Sequence, residues 1–205
     1  MTEQAQANPA SEAPVADEGG VSSAAIAMLG ADVEIDFSKP LPEYDTLGAV
    51  AFEARDKRAP GRHFALLCAR TYVPRITMGP SYRNVKSPCL MRLLDGGIVA
   101  RPGDQQQFYA YIFERPVGRK FLFQPDEAPL RVSEDHLVDL IINPILSLLL
   151  EFRNADMVHG AISLSNLYIG GPAGAETLTV GECLSSAPGA RQHPIYETIE
   201  RGPAQ

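Results

Sequence analysis

The chain has 205 residues, a formal net charge of −7, a sequence pI near 5.1 and 45% apolar residues. That length suffices for one domain, or two small lobes, with a buried core. The acidic balance argues against a nucleic acid or an anionic membrane surface as partner, since either demands a basic face. Cys68, Cys89 and Cys183 are odd in number and far apart, with no CxxC pair, so neither a zinc framework nor a disulfide scaffold is indicated and a reducing cytoplasm fits.

Residues 1–40 read as a disordered, acidic, Ala/Pro-rich tail. Its first twenty residues hold almost nothing to bury, which leaves the ordering entropy uncompensated. Glu3 and Glu12 stand where a signal peptide would carry basic residues, and the apolar piece 24–29 is too short to span a bilayer. Residues 21–29 read as a spacer with at most a turn or two of helix.

From residue 41 the pattern becomes strand-like. Residues 49–54 and 64–69 read as two strands joined by a turn at Pro60-Gly61. Residues 90–94 and 98–101 are short apolar runs, and residues 108–113 form an aromatic, β-branched strand. Arg115-Pro116-Val117-Gly118 breaks it. The division expected is a β-rich lobe over 41–113, a hinge at 114–118 and a helical lobe over 119–205. In the second part Ser133 is suited to cap a helix, with Glu134 and Asp135 at its positive end. Apolar residues then recur with helical spacing from Leu137 to Phe152, and Pro144 is expected to kink or split that helix. Ile142, Leu146 and Leu150 add apolar residues on the opposite side, so this helix calls for burial on most of its faces.

After the helix comes Met157-Val158-His159-Gly160-Ala161-Ile162-Ser163-Leu164-Ser165-Asn166-Leu167-Tyr168-Ile169. This run resembles the catalytic loop of protein kinases, a histidine, arginine and aspartate followed by an asparagine five residues on. The resemblance extends from about residue 41 to the end and implies an α+β fold, with a β-rich N-lobe and a partial helical C-lobe. It also implies where the chemistry should sit. His159 and Asn166 match the loop histidine and the metal-binding asparagine. The position of the aspartate that orients the substrate hydroxyl is Ala161, and Gly160 replaces the arginine. Cys68 stands at the phosphate-gripping lysine, and no glutamate lies between Cys68 and Glu114 to pair with it. In the region of the glycine-rich loop, residues 44–54, Gly48 is the single glycine. At the hinge, beyond Glu114, Pro116 occupies the position whose N–H would hold adenine. Glu182, in Gly181-Glu182-Cys183-Leu184, matches the aspartate that holds magnesium. Residues 193–197 loosely echo the end of an activation segment.

These losses remove parts that act together in positioning and neutralising phosphate. The expectation is therefore a pseudokinase-type module without catalytic residues. It binds a protein partner, or associates with itself, through the apolar helix 137–152, and it takes no cofactor. The alternative is an atypical serine/threonine kinase that retains ATP and magnesium through Asn166 and Glu182. Asn166 is expected to brace its loop, Glu182 to be a solvated acid, Cys68 to be a small core residue, and the cluster Arg55, Lys57, Arg58 and Arg62 to be a solvated hairpin, as are Arg115, Arg119 and Lys120 at the hinge edge. A kinase C-lobe extends well past an activation segment, so the sequence is expected to be a piece of a longer protein.

Overall fold

A computed structural model describes residues 25–103, 106–121, 133–172 and 174–188. Six strands form one antiparallel sheet: β1 (Ile26–Leu29), β2 (Val33–Pro40), β3 (Ala49–Asp56), β4 (His63–Cys68), β5 (Leu93–Ala100) and β6 (Gln107–Glu114), in the order β1-β2-β3-β4-β6-β5. Every residue of β4 is buried, because the strand lies between two cores. Phe64, Leu66 and Cys68 face one, and Ala65 and Leu67 face the other. A strand covered on both sides has no polar face to alternate with, hence its continuous apolar run.

The first two strands correct the reading of residues 1–40 as a tail. Val33 and Ile35 are fully buried in the second core with Leu29, while Glu34 and Asp36 point outward. Glu34 pairs with Lys57 at 2.9 Å, and Arg58 joins Asp56 and Asp95 at 3.0 and 2.9 Å, so the basic hairpin, whose Arg55, Lys57, Arg58 and Arg62 are all exposed, is a solvated loop that also carries ion pairs. The alternation is only two residues deep, which is why composition outweighed it. Residues 1–24 lie outside the described residues.

A second correction concerns β5, which is one strand where two short ones were expected. Asp95-Gly96-Gly97 interrupts its apolar pattern. The glycines are there for space: a Cβ at Gly96 would stand 3.1 Å from the Tyr109 hydroxyl, and one at Gly97 would stand 2.9 Å from Leu29 Cδ1.

Between β4 and β5 lie a 3-10 turn (Ile76–Met78) and a short helix, α1 (Gly79–Asn84). Beyond the sheet, β7 (Arg119–Lys120), β8 (Leu167–Gly170) and β9 (Thr177–Val180) make a small antiparallel sheet in that order. The main helical stretch comprises α2 (Glu134–Leu137), a wide π-type turn at Val138–Ile142, and α3 (Asn143–Asn154). The Ser133 hydroxyl accepts from the His136 N–H and caps α2. Pro144 sits in the first turn of α3, where the wide turn accommodates its missing N–H and Asn143 donates five residues back to Val138. No helix among the described residues is long and apolar enough to cross a membrane.

The two sheets and α3 share one core. A file of rings runs through it: Tyr44 stacks on Phe64 at 4.6 Å, Phe64 on Phe113 at 5.8 Å, Tyr82 meets Phe113 and Phe152 edge-on, and Phe152 meets His159 at 5.1 Å. The Tyr82 hydroxyl donates to the Met91 carbonyl at 2.8 Å, which ties α1 into this file.

Candidate functional site

The residues singled out by sequence converge where β8 and β9 meet the underside of the large sheet. His159 is completely buried. Its Nδ1 accepts from the Ala161 N–H at 3.3 Å, so Nε2 carries the proton and donates to the Gly181 carbonyl at 3.0 Å. The ring thereby ties the loop at 159–166 to the segment beginning at Gly181.

Asn166 makes the second tie. Its Nδ2 donates to the Ala161 carbonyl at 2.9 Å and to the Glu182 carbonyl at 3.0 Å, and its own carbonyl accepts from the Gly181 N–H at 2.7 Å. The approach is so close that Gly181 has no room for a Cβ beside the Asn166 amide. The asparagine therefore joins two backbone segments from within, and both amide hydrogens are engaged.

Glu182 corrects the expectation of a solvated acid, since it is buried. Its Oε2 accepts from the Leu184 N–H at 2.6 Å and the Ser185 N–H at 2.8 Å, and its Oε1 accepts from the Ser185 hydroxyl at 2.6 Å. Three donors from the next turn of chain compensate the desolvated carboxylate. Ala161 is buried and offers no polar side-chain atom.

Cys68 sits at the end of β4, 3% exposed. Burial first, and then the charge of Glu182, push its thiol up to about 12, so it is neutral at any physiological pH. Arg75, which sequence reading passed over, is a cation bound into this junction. Its Nη1 donates to the Val158 carbonyl at 2.7 Å and the Cys183 carbonyl at 3.2 Å, while its backbone N–H reaches the Leu184 carbonyl at 2.8 Å. Nothing in its surroundings, a Pro-Arg-Ile run in an irregular segment, marks it beforehand.

The loop 41–48 between β2 and β3 sends Tyr44 inward against Phe64 and, at 5.9 Å, Tyr168. At the other end of the loop Gly48 lies against the Ser185 backbone, where a Cβ would stand 2.5 Å from the Ser185 carbonyl oxygen. The Thr46 and Ser185 hydroxyls bond at 3.0 Å, and Leu184, Ser185 and Ser186 are buried. At the chain crossing, the Glu114 N–H donates to the Arg92 carbonyl and the Arg115 N–H to the Arg62 carbonyl, while Pro116 has no N–H. Arg115 is not the solvated residue expected: its side chain is 9% exposed, with Nε on the His63 carbonyl and Nη2 3.6 Å from Glu53. Among the described residues no group of three His, Cys, Asp or Glu side chains is placed to hold a metal ion. The echo of an activation segment at 193–197 lies outside the described residues.

No protein-family model matches the chain, and no curated protein does. Solved structures do. The kinase PK-1 of Cydia pomonella granulovirus superposes with a TM-score of 0.51 at 16% identity, over 70% of this chain and 52% of that one. The PknI kinase domain of Mycobacterium tuberculosis superposes with a TM-score of 0.55 at 11% identity, over 75% of this chain and 60% of that one. A double-mutant form of the same domain gives 0.60 at 10% identity, over 77% and 62%. At such identities the likeness concerns the fold, and the chain spans between half and two thirds of the length of these kinases. The architecture is protein kinase-like: a β-rich N-lobe with a partial helical C-lobe.

Proposed function

We propose that this chain is a non-catalytic, pseudokinase-type module of the cytoplasm that works by binding protein rather than by transferring phosphate. The observation that carries this reading is the contact of Gly48 with the Ser185 backbone, which joins the loop over the cleft to the segment beneath it. The residues at this junction do not fit a nucleoside triphosphate with its magnesium. Cys68 offers a neutral thiol where a cation is needed, the Asn166 amide donates to the Ala161 and Glu182 carbonyls, and the Glu182 carboxylate accepts from Leu184 and Ser185. The partner-binding face is the apolar side of the α2–α3 helix, where Leu146 and Leu150 are 54% and 60% exposed.

A thermal-unfolding titration with ATP and magnesium tests the reading. A ligand present at about one hundred times its dissociation constant stabilises the native state by ~2.7 kcal/mol, a shift of several degrees. The expected result is no shift at millimolar nucleotide, for the parent and for the Cys68→Lys, Ala161→Asp double variant alike. A saturable shift in the parent sinks the reading in favour of a residual kinase.

A further inference from the structure

Residues 69–101 are basic in an acidic chain, with six arginines and lysines against one acid, Asp95. That acid is already engaged, by Arg58 at 2.9 Å and Arg83 at 3.6 Å. Arg70 and Arg101 are exposed and form no ion pair among the described residues. Both border one corner of the large sheet. Past Cys68, at the end of β4, residues 69–75 take neither helix nor strand. Between them and the start of β6 lies a hollow of about 250 Å³, whose lining includes Cys68, Arg70, Val73, Pro74, Gln107 and Tyr109. Arg101 follows Ala100, which pairs with Gln107, and its N–H donates to the Gln106 carbonyl. Ile98 stands opposite Tyr109 and on the same face. Val73 and Ile98 are 79% and 66% exposed, so apolar surface continues outward from the hollow. Toward the core, the Tyr109 ring meets that of Tyr111 edge-on at 4.9 Å, and the buried Tyr111 hydroxyl has no hydrogen-bond partner among the described residues.

We propose that this corner is a docking site for an acidic segment of a partner protein, which seats one aromatic side chain in the hollow and lays its carboxylates against Arg70 and Arg101. The hollow is smaller than the roughly 300–1,000 Å³ of sites for drug-sized ligands, and its mostly apolar lining suits a single large side chain. The cations on its rim lack acids of their own, which selects an acidic occupant. A nucleic acid would meet the net charge of −7 over its whole length, whereas a short segment meets only the local field, which decays within about 10 Å at 0.1 M salt. This surface adds to the helical one above and does not depend on it.

Fluorescence anisotropy of the full chain with a fluorescein-labelled peptide, glutamates around a central phenylalanine, tests this. The expected result is saturable binding in the micromolar range that weakens as salt is raised. Arg70→Glu and Val73→Glu should each weaken it about tenfold, and exchanging the phenylalanine for alanine should abolish it. Arg55→Glu, a charge reversal on β3 away from the hollow's lining, should leave it unchanged. All three positions are exposed, and circular dichroism checks that the fold is kept. Absence of binding across the micromolar range overturns the proposal. So does binding that survives loss of the phenylalanine, or that falls as far with Arg55→Glu as with Arg70→Glu, since either reports general charge attraction. The nucleotide titration is independent of these outcomes, so failure here is separable from failure of the non-catalytic reading.

Discussion

Both amide hydrogens of Asn166 meet backbone carbonyls, those of Ala161 and Glu182, in a site closed to solvent. A metal ligand would present its oxygen, and Asn166→Asp would be a mild change there. A brace presents its N–H groups, and aspartate would aim a carboxylate at two carbonyl oxygens. Asn166→Ala is therefore expected to cost about 2–3 kcal/mol, the scale for leaving buried partners unsatisfied, and Asn166→Asp more. Urea unfolding at pH 7, with and without magnesium, measures both. Rescue of the aspartate variant by magnesium would contradict the brace. The same logic applies to Glu182, whose acceptors serve Leu184 and Ser185. The places of Ala161 and Asn166 relative to His159 were legible in sequence, because the loop is a continuous run. The direction in which each side chain points was not, because that depends on which carbonyls the fold brings alongside.

At the scale of elements, β2 and the loop after it matter most. Ile35 is completely buried in the core between the β1–β2 hairpin and the rest of the sheet. Ile35→Ala is expected to cost about 2–5 kcal/mol, the usual range for emptying such a site, and a chemical denaturation curve reads it. A cost under about 0.5 kcal/mol, the range of surface substitutions, would return the segment to the tail that composition suggests. Gly48→Ala should also destabilise, because the added carbon meets Ser185 backbone rather than a movable side chain. Strands β3, β4 and β6 and the long helix were visible in sequence, since each carries a run of apolar residues with a clear period. The β1–β2 hairpin and the middle of β5 were not. Two buried residues among acids make a faint period, and paired glycines look like a turn unless the neighbours that fill their space are known.

For the whole molecule, acid sensitivity follows from how its carboxylates are held. Hydrogen bonds from the Arg58 guanidinium hold Asp56 below the usual carboxylate range, Lys57 does so for Glu34, the Ser38 hydroxyl for Asp36, and backbone N–H groups for Glu176. A carboxylate with a depressed folded pKa contributes stability above its unfolded value, near 4, and loses it as pH falls through the folded value. Stability should therefore fall as the pH drops below about 4. Arg58→Met should lower it at pH 7, with the difference from the parent narrowing toward pH 3, and urea unfolding at the two pH values checks this. A constant difference would mean that Arg58 acts through packing alone. What the sequence determined by itself was the kinase-like order of elements and the absence of a lysine at 68 and an aspartate at 161, since strand periods, the helix and loop spacing are local in the chain. What only the tertiary structure decided was which distant segments meet at the junction of the two sheets: Tyr44 and Gly48 on the one hand and Tyr168 and Ser185 on the other lie far apart in sequence, and their contacts arise only when the two sheets close on one core.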